Sequence, residues 1–201
     1  MLEETLADCH NVEIVQGDVL KCDLAGICRE KFGGKPVYAC ANLPYYITTP
    51  AITAMLESKA FSAITVMVQK EAADRLAAAP GTRASSAISC AVSYYATSKL
   101  MFTAAPGSFY PAPKVTSAVV RMDIRPTPAV QVEDEDGYFA LIRAAFGQRR
   151  KTAANAIANG LHLPKAQVIS ALQAAGLDER SRPEQLTLEN YCALQTALAN
   201  T

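Results

Sequence analysis

The stretch Val37-Tyr38-Ala39-Cys40-Ala41-Asn42-Leu43-Pro44-Tyr45-Tyr46-Ile47-Thr48-Thr49-Pro50-Ala51-Ile52 decides the fold class. Its first five residues are apolar and read as a strand that stops at Asn42. Thr49 followed by Pro50 reads as an N-cap and first helical position, opening a helix through Ala51, Ile52, Ala54, Met55 and Leu56. Strand, loop and helix in succession are the start of a layered α/β unit. Upstream, Leu2 to Cys9 reads as the tail of a helix, and the β-branched Val12-Glu13-Ile14-Val15 as a strand ending at Gly17-Asp18. Downstream, Ala63 to Val68 is a wholly apolar strand of the kind buried in a parallel sheet, and Glu71 to Ala78 is helical in composition before Pro80-Gly81 ends it. Ser85-Ser86 caps a helix with apolar positions Ala87, Ile88, Ala91, Val92 and Tyr95. Lys99–Thr103 and Ser117–Met122 complete the sheet.

Pro126 and Pro128, followed by Glu133-Asp134-Glu135-Asp136, mark a break in composition and the expected boundary between two domains, 1–126 and 127–201. Beyond it four helical segments follow: Tyr138 to Phe146, Thr152 to Ala158, Lys165 to Ala175 with Gly176 at its end, and Leu188 to Leu198. Half of the 201 residues are apolar, enough to bury a core. Nineteen basic residues balance nineteen acidic ones, so a nucleic-acid partner would have to be met by a local patch such as Gln148-Arg149-Arg150-Lys151. The six cysteines form no CxxC pair and have no histidine at zinc-ligand spacing, which points to reduced thiols packed in a core and to no metal. No run approaches the roughly 18 apolar residues of a membrane span, and the first five residues are acidic, so a cytoplasmic protein without a membrane partner is expected.

Asn42-Leu43-Pro44-Tyr45 resembles the active-site tetrapeptide of amino-directed N-methyltransferases. With Gly17-Asp18-Val19-Leu20 before it and Phe109-Tyr110-Pro111-Ala112-Pro113-Lys114-Val115 after it, nearly the whole chain is similar to the bacterial rRNA adenine N6,N6-dimethyltransferase family of the KsgA type. The resemblance implies a Rossmann-like class I methyltransferase domain followed by a small all-α domain, with S-adenosylmethionine as cofactor. The implied partners are small-subunit rRNA and the immature small ribosomal subunit.

The tetrapeptide suits that chemistry. An adenine amine is a poor nucleophile because its lone pair is delocalised into the ring, and two fixed acceptors, the Asn42 side-chain oxygen and the Pro44 carbonyl, would favour the pyramidal nitrogen that attacks. Leu43 spaces the two, and proline brings no N–H to compete. Tyr45 offers a face for an extruded base. The resemblance implies that Phe109 closes over the other face, that Asp18 accepts a hydrogen bond from the cofactor's adenine, that Asn42 also borders the cofactor, and that Arg143, Arg149, Arg150 and Lys151 meet RNA. Lys114 and Arg83 are further phosphate candidates.

Three bland readings stand beside these. Gly17-Asp18 after a strand is commonly an ordinary turn, Tyr45 and Phe109 could each be core aromatics, and the basic cluster could be a solvated helix end. Two functional alternatives also remain: a macrolide-resistance type methyltransferase of large-subunit rRNA, and a non-catalytic module that docks on the ribosomal particle. DNA-adenine and protein-glutamine methyltransferases usually carry a second proline in the tetrapeptide, where this chain has Leu43.

The family's Gly-rich cofactor loop and the acidic residue after its second strand have no counterpart here, since Gly17, Gly26, Gly33 and Gly34 form no such pattern. The expectation is a methyltransferase domain truncated at its N-terminus by a βαβ unit of ~30 or more residues. Those strands would lie between the one ending at Asp18 and the one ending at Asn42, so a poorly stable or edge-associating chain that binds cofactor weakly is expected.

Overall fold

A computed structural model describes residues 2–148 and 150–200; Met1, Arg149 and Thr201 lie outside the described residues. Its helices are α1 (Leu2–Thr5), α2 (Leu24–Phe32), α3 (Thr48–Glu57), α4 (Lys70–Ala77), α5 (Ala87–Tyr95), α6 (Glu135–Phe146), α7 (Ala153–Leu161), α8 (Lys165–Ala174) and α9 (Leu188–Ala199). Its strands are β1 (Tyr38–Asn42), β2 (Ala63–Gln69), β3 (Ala96–Ala104) and β4 (Ser117–Ile124).

The four strands form one sheet in the order β1-β2-β4-β3. β1 runs parallel to β2 with α3 between them in sequence, whereas β4 is antiparallel to both neighbours. The expected all-parallel setting of β2 therefore holds on one side only. Alternation then selects the core face: Ile64, Val66 and Val68 pair with Met122, Val120 and Ala118, and all six are fully buried. Residues between them, such as Thr65 and Arg121, take the other, wetter face. α4 packs on β3 and β4, α5 on β3 and α4, and α3 on α5.

Three expectations are corrected. Of the six cysteines read as core thiols only Cys90 is buried, while Cys9 and Cys40 are exposed. Val12–Val15 forms no strand; Val12, Ile14 and Val15 are exposed, because a strand needs a neighbour for its backbone groups and no described strand lies beside this one. Nor does Thr49 cap α3. The Ile47 N–H donates to the Pro44 carbonyl at 3.1 Å, closing a 3-10 turn over Tyr45–Ile47 that runs straight into α3, so the chain is already helical at Thr48 and Pro50 falls third. α2 is an element that the sequence patterning passed over; the Asp23 carboxylate caps it by accepting from the Gly26 N–H at 2.8 Å.

The four C-terminal helices form as expected, with Gly176 taking the left-handed φ of 71° just after α8. They join the sheet layer through an aromatic cluster. Tyr94 stands edge-on to Tyr95 and Phe139, with centroids at 4.8 and 5.1 Å, and Tyr95 stacks on Phe139 at 5.5 Å. At its rim the Tyr95 and Tyr94 hydroxyls donate to the Glu135 carboxylate at 2.5 and 3.3 Å, and Lys59 pairs with it at 3.1 Å.

Candidate active site

Asn42 ends β1 opposite Met67 of β2, so the tetrapeptide begins where the parallel pair stops. Four hydrogen bonds at three points then fix the loop. The Leu43 N–H donates to the Met67 carbonyl at 3.2 Å, and the Leu43 side chain is only 7 % exposed, a buried anchor rather than a simple spacer. The Pro44 carbonyl accepts from the Ile47 N–H and from the Thr48 hydroxyl, the latter at 3.3 Å. The Tyr45 hydroxyl shares a hydrogen bond of 3.2 Å with the Ser117 hydroxyl at the start of β4.

Asn42, Leu43, Pro44 and Tyr45 line a cleft of about 370 Å³, and its other wall carries Phe109, Tyr110, Pro111 and Pro113, with Met67 and Ser117 also lining it. The two segments, about sixty residues apart in sequence, are thus brought together. Phe109 is half-buried, Tyr45 is 41 % exposed and Tyr110 is fully exposed. Among the described residues nothing hydrogen-bonds the Asn42 side-chain amide. A slot bounded by aromatic rings and proline edges, with a free amide at its rim, suits a flat heteroaromatic ring bearing an amine.

The remaining candidates do not line this cleft. The Asp18 carboxylate accepts from the Leu20 N–H at 3.0 Å, and its backbone carbonyl accepts from Lys21 and Cys22. It therefore turns the chain rather than ending a strand, as the bland reading of Gly-Asp allowed. Lys114 and Arg83 are exposed on loops. Arg143 is exposed in the last turn of α6, and Arg150 and Lys151 are exposed in the turn that follows; Arg149 lies outside the described residues. Sequence reasoning missed Met67, Thr48 and Ser117. Ser117 stands two residues beyond Val115, and only its 3.2 Å contact with Tyr45 gives it away.

A family model described as ribosomal RNA adenine dimethylase matches residues 1–200. The chain belongs to this family. Among curated relatives in it, the chain is 48 % identical over 201 residues to ribosomal RNA small subunit methyltransferase A of Alkaliphilus oremlandii, spanning 99 % of the chain and 70 % of that protein. It is 43 % identical over 203 residues to the protein of the same name from Bacillus pumilus, again spanning 70 % of it. Among solved structures, a dimethyladenosine transferase from Plasmodium falciparum superposes with a TM-score of 0.72 at 23 % identity, covering 96 % of this chain and 74 % of that one. The 23S rRNA methyltransferase ErmE gives a TM-score of 0.63 at 21 % identity, covering 98 % and 76 %. Those two likenesses support the Rossmann-like fold that the family implies. No described helix is long and apolar enough to cross a membrane.

Proposed function

We propose that this chain acts on rRNA adenine amines in small-subunit rRNA, dimethylating N6 of two adjacent adenosines of an immature small ribosomal subunit in the cytoplasm, with S-adenosylmethionine as methyl donor. The observation that carries the reading is the single cleft shared by Asn42–Tyr45 and Phe109. Membership of the rRNA adenine dimethylase family supports it, as do relatives whose names specify the small subunit. On the same reading residues 1–126 form the methyltransferase lobe and 127–201 a helical lobe that meets RNA through Arg143, Arg150 and Lys151.

The cleft's residues fit the acceptor side of such a transfer: an amide without an intramolecular partner stands beside apolar and aromatic walls. S-adenosylmethionine supplies an electrophilic methyl group when bound. The Asn42 side-chain oxygen and the Pro44 carbonyl accept the two amine hydrogens, which turns the nitrogen lone pair toward the methyl carbon. The Pro44 oxygen already holds two donors, and of these the Thr48 hydroxyl can rotate away while the Ile47 N–H is fixed in its turn. Tyr45 and Phe109 hold the ring between them, and no base is needed before attack because the product nitrogen sheds its proton afterwards. On the cofactor side, Asn42 is the contributor we assign from this cleft. Asp18, engaged in its own turn, would have to present its second oxygen.

The test is transfer of tritiated methyl from S-adenosylmethionine by this chain to unmethylated small subunits and, in parallel, to large-subunit rRNA, with the labelled nucleoside identified. Dimethyladenosine in the small subunit is the outcome that carries the reading, and it would overturn the weak cofactor binding expected from the sequence. Label appearing only in large-subunit rRNA would move the assignment to the macrolide-resistance type. Subunit binding without transfer would make the chain a docking module.

A further inference from the structure

The Tyr45–Ser117 bond ties the tetrapeptide loop to an inner strand of the sheet. β4 is an inner strand, flanked by β2 and β3, and Ser117 pairs with Gln69 on one side and Ala104 on the other. Its neighbour Thr116 also receives the Lys70 N–H through its carbonyl at 3.0 Å. Ser117 is 2 % exposed, so its hydroxyl cannot turn to bulk water for a partner, and Tyr45 is the partner that it has. Tyr45, by contrast, sits on a short 3-10 turn with 41 % of its surface open, and burial alone does not fix its ring. The other two ties of the loop, at Leu43 N–H and at the Pro44 carbonyl, are to backbone groups and leave the ring free to swing.

We propose that Ser117 is a positioning residue for the transfer: its hydroxyl holds the Tyr45 ring at the angle that sets an adenine amine against the acceptors of Asn42 and Pro44. This rests on the functional reading given above. The ring stacks with or without the bond, so the base still binds. What the bond adds is orientation, which is felt in the turnover step more than in binding. Ser117 also lines the cleft itself, so its hydroxyl acts from inside the site.

The test compares Ser117→Ala, Tyr45→Phe and the double variant in the full chain. Ser117→Ala removes one oxygen from a tight site and leaves the Tyr45 hydroxyl able to reach water, so the fold should survive. Expected is a fall in kcat of about five- to ten-fold for each single variant, the range of one hydrogen bond, with KM for the RNA changed less than about two-fold. The double variant should be no slower than either single one, since both remove the same bond. A second readout needs no turnover. With ring-labelled tyrosine, the NMR order parameter of the Tyr45 ring, identified by its loss in Tyr45→Phe, should drop in Ser117→Ala. An unchanged order parameter, or wild-type kcat in Ser117→Ala, overturns the proposal, and a lowered Tm with kcat per folded molecule intact would mark the bond as merely structural. Absence of methyl transfer by the wild-type chain would count against the functional reading, while the ring measurement would still decide the bond.

Discussion

Asn42 is the side chain whose loss should cost the most for the least structural change. It ends an edge strand, its amide has no partner among the described residues, and its truncation leaves no buried group unsatisfied. Asn42→Ala should therefore keep the wild-type Tm and RNA affinity while methyl transfer falls by about a hundred-fold or more, the scale of removing one pre-set polar contact to a reacting group. Wild-type turnover by that variant would remove the amide from the mechanism. At this scale the sequence was most informative where chemistry dictates a residue type. An Asn-x-Pro-Tyr loop after an apolar strand needs those side chains for what they present, and all four line the cleft with Phe109. It was blind to Ser117 and Thr48, whose parts depend on which backbone or ring a hydroxyl happens to meet.

Among the elements, α6 and its neighbours make two separate claims. Gly160 of α7 has no room for a side chain: an added Cβ would stand 2.7 Å from the Ala144 Cβ and 2.9 Å from its Cα. Gly160→Ala should thus destabilise by about 1–3 kcal/mol in chemical denaturation, even though alanine is the better helix former by about 1 kcal/mol. A stabilised variant would show that α6 and α7 can part freely. Glu135, at the start of α6, has a carboxyl held below its ordinary range: burial raises it, but the hydrogen bonds from Tyr95, Lys59 and Tyr94 outweigh burial. A depressed folded-state value means the stabilisation is whole above the ordinary carboxylate pKa of about 4.3 and drains away as pH falls through the depressed one. Tm should accordingly drop below about pH 4, and Glu135→Gln should flatten that part of the profile; parallel profiles would remove Glu135 from the acid response. The strands show where patterning fails. β2 and β4 announced themselves through β-branched residues, but Val12–Val15 is as rich in them and has no strand partner among the described residues, and pairing rather than propensity decides whether a strand exists. β1 is bonded on one side only, with Tyr38 and Cys40 exposed. Sedimentation velocity under reducing conditions should show concentration-dependent association that Cys40→Lys suppresses; a strict monomer at every concentration would show the edge to be protected.

Across the whole molecule, equal numbers of acidic and basic residues make any RNA affinity a matter of local charge. Arg150 and Lys151 are exposed in the α6–α7 turn, so replacing either with alanine should lower the slope of log affinity against log salt by about 0.7–0.9. An unaltered slope would make that turn an ordinary solvated helix end. Order of elements and the two-part composition were visible in the chain from Pro126 onward, because prolines and acidic runs interrupt any apolar period. The contact between the parts was not visible, since nothing in Tyr94-Tyr95 or Tyr138-Phe139 says that these rings will meet. Yet that meeting has a consequence for how such a protein can be inherited. Tyr94 and Tyr95 of the aromatic cluster come from α5 and Tyr138 and Phe139 from α6, and its carboxylate belongs to α6 while its lysine follows α3. The helical part is therefore no exchangeable module. Recombination that swapped α6–α9 onto a foreign sheet layer would strand three tyrosines and a phenylalanine in water, so shuffling this part costs the protein its own seam.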